Sequence, residues 1–111
     1  MLDDCGFRLL KLIERQAGLS QREMAQQLGI SVGKLNYELR ALIDGGMVRV
    51  IVPDQHGHRL VNSYELTERG QAAKHEASAK VLELRKREYV QLGHEIEQLS
   101  REVSVSDVKK P

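Results

Sequence analysis

The stretch SQREMAQQLGISVGKLNYELRALIDGGMV, from Ser20 to Val48, has the pattern of two short helices joined by a turn. Its first four residues, Ser20 to Glu23, form an S-x-x-E capping box, in which a serine hydroxyl and a glutamate side chain satisfy each other's backbone amides. Gly29 tolerates the left-handed conformation with which many helices end. Two residues later, Ser31 is an N-cap candidate for a second helix. The stretch therefore predicts a helix-turn-helix.

The flanking segments add a helix before this motif and a hairpin after it. Apolar residues at helical spacing predict a first helix between Phe7 and Gly18, and the second helix of the turn is predicted from Ser31 to Asp44. The β-branched run 47–52 predicts a strand. Turn-forming residues at 53–58 and a second strand over 59–66 complete a β-hairpin.

This order of elements predicts a mostly helical fold with one small β-hairpin, a winged helix-turn-helix followed by a long C-terminal helix that Thr67 caps. We divide the chain into residues 1–66, a winged helix-turn-helix DNA-binding domain, residues 67–103, a dimerisation helix, and residues 104–111, a disordered tail.

The second helix of the turn is the predicted DNA-reading element, because in this fold it lies in the major groove while the hairpin reaches the neighbouring backbone or minor groove. Leu35, Leu39 and Leu42 recur at the spacing of a buried stripe, which leaves the opposite side for DNA. Asn can pair with adenine, Lys and Arg with guanine or phosphate, and Tyr with phosphate or a thymine methyl. The alternative is an ordinary solvated helix face and hairpin tip. The predicted DNA contacts are Ser31, Val32, Gly33, Lys34, Asn36, Tyr37 and Arg40 on the helix and His58 and Arg59 on the hairpin.

The C-terminal helix changes from a broad apolar stripe to a narrow seam of heptad a and d positions, interrupted at Arg85. Such a seam is more often a dimer interface than the surface of a lone helix. Two copies would place two reading helices about 34 Å apart on a pseudo-palindromic site. The charged flanking positions leave parallel and antiparallel pairing open. The predicted dimerisation residues are Leu82, Tyr89, Leu92, Ile96 and Leu99.

Several short segments resemble one known family: ISVGKLNY at 30–37, GMV at 46–48 and YELT at 64–67. Together with the charged C-terminal helix, they are similar to the small MarR-type regulators associated with exopolysaccharide gene clusters, over roughly residues 5–103. The resemblance implies a dimeric transcriptional regulator that binds double-stranded DNA near genes for extracellular polysaccharide synthesis. Full-length MarR proteins have further helices that build the dimer and a ligand pocket. This chain is shorter, which counts against a small-molecule effector site.

The charge balance keeps a rival interpretation open. The chain holds 17 basic and 16 acidic residues, a net charge of +1, and residues 1–66 hold equal numbers of each. This balance counts against tight DNA binding by a single copy. The rival is a winged-helix module that binds a protein partner and does not read DNA sequence.

Other classes of function lack a motif. No nucleophile with a supporting base and no phosphate-binding loop occurs, so we expect no enzyme activity and no cofactor. His56 and His58 lack the further ligands of a zinc site, so we expect no metal. No segment has the pattern of a membrane span or a secretion signal, which favours a cytoplasmic protein. Cys5 cannot form an internal disulfide, and redox control through it stays open.

Overall fold

The computed structural model describes residues 2–51 and 63–108, with side chains described as far as residue 105. The elements have the predicted order of helices and strands, so the predicted fold class, a winged helix-turn-helix followed by a long helix, is confirmed. The elements are α1 (Asp4–Arg15), α2 (Gln21–Leu28), α3 (Val32–Asp44), β1 (Val48–Ile51), β2 (Ser63–Leu66) and α4 (Glu68–Val108).

Side-chain caps set the limits of the two helices in the helix-turn-helix. The Glu23 amide donates to the Ser20 hydroxyl at 3.1 Å and the Ser20 amide donates to the Glu23 carboxylate at 3.0 Å, which confirms the capping box. Gly29 ends α2 with a φ of 70°, in the left-handed region. The Ser31 hydroxyl accepts from the Lys34 amide at 3.0 Å. These bonds satisfy amides that a helix cannot pair internally, so both helix starts are fixed by local sequence.

One hydrophobic core joins the three short helices and the hairpin. The predicted stripe of α3 is confirmed, since Leu35, Leu39 and Leu42 are all buried. Their burial turns the other side of α3 outward, because successive residues of a helix are rotated by about 100°. The largest fully buried side chains are Leu9, Leu10, Met24, Leu35 and Leu39.

The hairpin pairs β1 with β2 in antiparallel register, with Val50 opposite Tyr64 and Arg49 opposite Glu65. Tyr64 is buried in the core, and Arg49 Nε lies 2.9 Å from a Glu65 carboxylate oxygen on the exposed side. The predicted pairing of two strands is thus found, with β1 starting one residue later than expected. The turn and the start of the second strand, with His58 and Arg59, lie outside the described residues.

The start of α4 packs closely on the end of the helix-turn-helix. The Thr67 hydroxyl accepts from the Gly70 amide at 3.0 Å, as a cap should, and donates to the Gly46 carbonyl at 2.6 Å. A Cβ on Gly70 would lie only 2.0 Å from the Met47 carbonyl oxygen. Only glycine fits such an approach of a helix to a neighbouring backbone.

The chain divides into two compact units, Met1–Ala77 and Ser78–Pro111. The first unit includes the first turns of α4, where Lys74 forms an ion pair with Glu14 of α1, so it extends past the predicted domain boundary at residue 66.

The second unit contains the rest of α4. Every side chain described from residue 82 to residue 105 is exposed. The helix continues to Val108, past the start of the predicted tail at residue 104, because neither Pro nor Gly interrupts this segment. None of the helices in the described part of the chain combines the length and apolar character needed to cross a bilayer.

Candidate nucleic-acid interface

The outward side of α3 carries most of the residues predicted to contact DNA. Tyr37 leaves 72% of its surface exposed. Two exposed cations lie beside it on this side of the helix, Lys34 three residues earlier and Arg40 three residues later. Together they present two positive charges and a phenol, groups that suit phosphate oxygens and base edges. The remaining exposed members of the predicted set are Ser31, Val32 and Gly33.

Asn36 differs from these residues because it is half-buried and already hydrogen-bonded. Its Nδ2 donates to Gln21 Oε1 of α2 at 3.1 Å, and Gln21 Nε2 donates to the Tyr64 hydroxyl of β2 at 3.2 Å. An asparagine amide has two N–H hydrogens and a carbonyl oxygen, so one donor and the acceptor remain for an adenine. The structure therefore leaves the predicted pairing chemically possible.

Gln21 is absent from the residues predicted from sequence, although its position contains a signal. It directly follows the Ser20 cap, at the first position of a helix that packs on α3. Only the folded chain brings Gln21 beside Asn36 and Tyr64, which lie 15 and 43 residues away in sequence.

A cleft of about 300 Å³ separates the C-terminal part of α3 from the hairpin. Charges of both signs line it, because Arg40 and Asp44 are one turn apart on α3. The Asp44 carboxylate reduces the attraction of this end of α3 for phosphate, in keeping with the near-neutral charge of the chain. The other lining residues include Gln21, Asn36, Val50 and Tyr64.

The first turn of α3 is also suited to an anion. Its backbone amides lie at the positive end of the helix dipole, and the Ser31 hydroxyl, although it accepts from Lys34, keeps its own hydrogen to donate. Gly33 has no other side chain or distant backbone within 4 Å of the position that a Cβ would occupy. The protein's own packing therefore does not require glycine at this position.

Cys5 has the chemistry of a weakly reactive thiol. Burial raises its pKa, and the negative charge of Glu38 raises it further. Since the thiolate is the nucleophilic form, a raised pKa lowers the reactive fraction near neutral pH.

The predicted seam on α4 is exposed in the single chain. Its five residues each leave more than half of their surface exposed. They lie along one side of the helix, with Leu82 seven residues before Tyr89 and the rest three or four residues apart. Ion pairs such as Arg85 with Glu88 and Arg101 with Glu97 lie between side chains of the same helix. The seam residues are Leu82, Tyr89, Leu92, Ile96 and Leu99.

Potential metal ligands were compared over residues 2–51 and 63–108. Within these ranges, no group of three or more His, Cys, Asp or Glu side chains is arranged to hold a metal ion. His56 and His58 lie outside the described residues.

Residues 2–49 match a family model described as "Winged helix-turn-helix DNA-binding". This match covers α1, α2, α3 and the beginning of β1. No curated protein matches the chain in sequence.

Several solved structures share the fold. The transcriptional regulator BldR from Sulfolobus solfataricus is 23% identical with a TM-score of 0.64, over 75% of this chain and 58% of that chain. Streptococcus pneumoniae FabT in complex with DNA is 16% identical with a TM-score of 0.59, over 96% of this chain and 78% of that chain. Staphylococcus aureus MarR in complex with salicylate and kanamycin is 14% identical with a TM-score of 0.63, over 96% of this chain and 74% of that chain. These similarities establish the winged helix-turn-helix fold.

Proposed function

We propose that this protein is a sequence-specific DNA-binding transcriptional regulator of the MarR type, in which α3 enters the major groove. The observation that carries the proposal is the outward side of α3, where Lys34, Tyr37 and Arg40 lie opposite the buried leucines. The match of residues 2–49 to a DNA-binding model supports it, as does the shared fold of FabT, a protein solved in complex with DNA. The role is one of binding, without enzyme activity.

Each residue of the interface has a distinct proposed role. Asn36 reads adenine, and Lys34 and Arg40 bind guanine or phosphate. Tyr37 contacts a phosphate or a thymine methyl, while Ser31 and the first-turn amides hold a phosphate. Gly33, which lacks a side chain, allows a close approach of the helix to the DNA, and Val32 contacts the DNA beside it. On the hairpin, His58 and Arg59 contact the neighbouring backbone or minor groove.

The active form is proposed to be a homodimer joined by the seam on α4. A single copy has a net charge of only +1, so few unbalanced cations are available to bind phosphates. Two copies double the number of contacts, and two α3 helices about 34 Å apart fit successive major grooves on one side of the duplex. The operator should therefore be a pseudo-palindrome.

The proposed targets are genes for exopolysaccharide synthesis, and the proposed location is the cytoplasm. The support for the targets is the resemblance of ISVGKLNY and the YELT junction to regulators associated with such gene clusters. Recognition of DNA by this route needs no metal or cofactor, and the proposal includes no small-molecule effector.

A charge-matched pair of variants tests whether α3 contacts DNA. Arg40→Ala removes a cation from the outward side of α3, and Arg87→Ala removes one from the second unit, at the heptad position opposite the seam. Fluorescence anisotropy on an operator selected from random duplexes, and on a scrambled duplex, gives affinity at about 50 to 200 mM salt. If Arg40 holds a phosphate, its loss weakens both complexes and lowers the salt slope by about 0.9.

The control variant Arg87→Ala should bind as the wild type does. Equal effects of the two variants would contradict a contact from α3. A wild-type protein that shows no preference for any duplex would favour the rival function, a winged-helix module for a protein partner.

A further inference from the structure

We infer that Gln21 is a positioning residue for base recognition, which orients the amide of Asn36 and ties it to the hairpin through Tyr64. This inference rests on the proposed reading of DNA by α3. The inference adds Gln21 of α2 to the proposed DNA interface, with an effect on base preference that is exerted through Asn36.

The hydrogen bonds form a continuous chain from the core to the reading helix. Tyr64 is only 8% exposed and packs in the hydrophobic core, so its hydroxyl is a fixed end point. Gln21 donates to that hydroxyl with Nε2 at 3.2 Å and accepts from Asn36 with Oε1 at 3.1 Å. Both ends of the Gln21 amide are therefore used, and in this arrangement Gln21 presents its oxygen to Asn36.

The orientation of Asn36 follows from that of Gln21. The terminal torsion of asparagine has a broad energy profile, so an unpaired amide samples many angles. Rotation of the Asn36 amide alone by a half turn would bring its Oδ1 against Gln21 Oε1, and two acceptors cannot bond to each other. The bond thus holds Nδ2 towards Gln21 and leaves Oδ1 and one N–H hydrogen for another partner.

This arrangement prepares Asn36 for adenine before DNA arrives. Adenine presents an acceptor and a donor in the major groove, which match one N–H and the carbonyl of an amide. A side chain already held in its bound orientation loses less conformational freedom on binding. Asn36 and Gln21 are both half-buried, so water competes less for their mutual bond than it would at an open surface.

Three variants on α2 separate positioning from general damage. Gln21→Met keeps the length of the side chain and removes both hydrogen bonds. Gln21→Glu keeps an acceptor for Asn36 and can accept from the Tyr64 hydroxyl, but adds a negative charge near DNA. Gln27→Met is the matched control, since Gln27 is on the same helix and its amide pairs with that of Gln16, at 3.0 Å and 3.4 Å.

The readout is the dissociation constant for a substituted duplex divided by that for the operator, so a lower ratio means a weaker preference for the operator. One duplex is the operator selected by the wild type, and the other has a single A·T pair replaced, at the position where Asn36→Ala loses its preference. Loss of one hydrogen bond between neutral groups corresponds to about a three- to tenfold change, so Gln21→Met should lower the ratio by that factor. Gln27→Met should keep the wild-type ratio. Gln21→Glu should weaken binding to both duplexes alike and keep the ratio.

Coupling to Asn36 is measured by a double variant. If Gln21 acts only through Asn36, the Gln21→Met change should have no further effect on the ratio in an Asn36→Ala background. Tyr64→Phe, which removes the hydroxyl at the far end of the chain of bonds, should lower the ratio in the same direction. It keeps the buried ring, and so provides a second test if Gln21→Met does not fold.

A wild-type ratio in both Gln21→Met and Tyr64→Phe, beside a lost preference in Asn36→Ala, would overturn the inference and leave the proposed function intact. An additive effect of the double variant would overturn it as well. A wild-type protein with no preference among duplexes would instead refute the proposed function itself.

Discussion

The seam on α4 can be tested by two alanine substitutions on different sides of the helix. Leu92 occupies a heptad d position in the seam, and Val90, two residues earlier, lies outside it. Their exposed fractions are 54% and 55% in the single chain. Leu92→Ala and Val90→Ala therefore both remove exposed apolar surface from the same helix, and only the first removes it from the proposed interface.

The expected cost follows from the exposed area of Leu92. Complete burial of a leucine side chain contributes about 1.5 to 3 kcal/mol. Since about half of Leu92 is still exposed, a partner helix can add about 1 kcal/mol at each copy, and a symmetric dimer contains two copies. Leu92→Ala should therefore destabilise the dimer by about 2 kcal/mol, which raises its dissociation constant about 30-fold.

Sedimentation equilibrium over a series of protein concentrations measures this constant directly. Val90→Ala should stay within about twofold of the wild type, because exposed substitutions on a helix change little. Equal shifts for the two variants would refute the seam. A wild-type protein that remains monomeric at tens of micromolar would refute the homodimer altogether.

Two further predictions concern stability. Gly70→Ala places a Cβ against the Met47 carbonyl and should lower the free energy of unfolding by about 1 to 3 kcal/mol. Gly33→Ala places its Cβ in open space and should raise the free energy of unfolding by up to about 1 kcal/mol, because Ala favours a helix more than Gly does. Urea denaturation measures both changes. Bonds from the Ser20 amide and hydroxyl hold the pKa of Glu23 below its ordinary 4.5. The resulting stabilisation is present above pH 4.5 and is lost as the pH falls, so Glu23→Gln should show a weaker decrease of its melting temperature in acid than the wild type.

The local features of the fold could be predicted from sequence because their causes are local. The capping box at Ser20, the cap at Ser31 and the left-handed Gly29 depend on residues within one helical turn of each other. The buried stripe of α3 follows from the helical period alone. The end of α4 is less visible in the sequence, because the heptad pattern stops at residue 103 whereas the helix continues to Val108.

The contacts that join distant segments could not be predicted in the same way. Gly70 is required by the backbone of Met47, and nothing in the sequence around Gly70 indicates that neighbour. The bonds that connect Gln21 with Asn36 and Tyr64 likewise depend on how α2, α3 and β2 pack together. The type of Asn36 and its place on the helix predict a base-reading residue, but its half-buried position is visible only in the folded chain.

The most direct test of the central claim is a selection of genomic fragments by the purified protein, repeated at low and moderate salt. Sequence-specific binding by a dimer predicts that a few fragments are enriched, that they share a two-fold repeat, and that enrichment persists as salt rises. The proposed targets predict that these fragments lie beside genes for exopolysaccharide synthesis. Binding that enriches no fragment and disappears with salt would contradict the account, because it would reduce the contacts of α3 to electrostatic attraction.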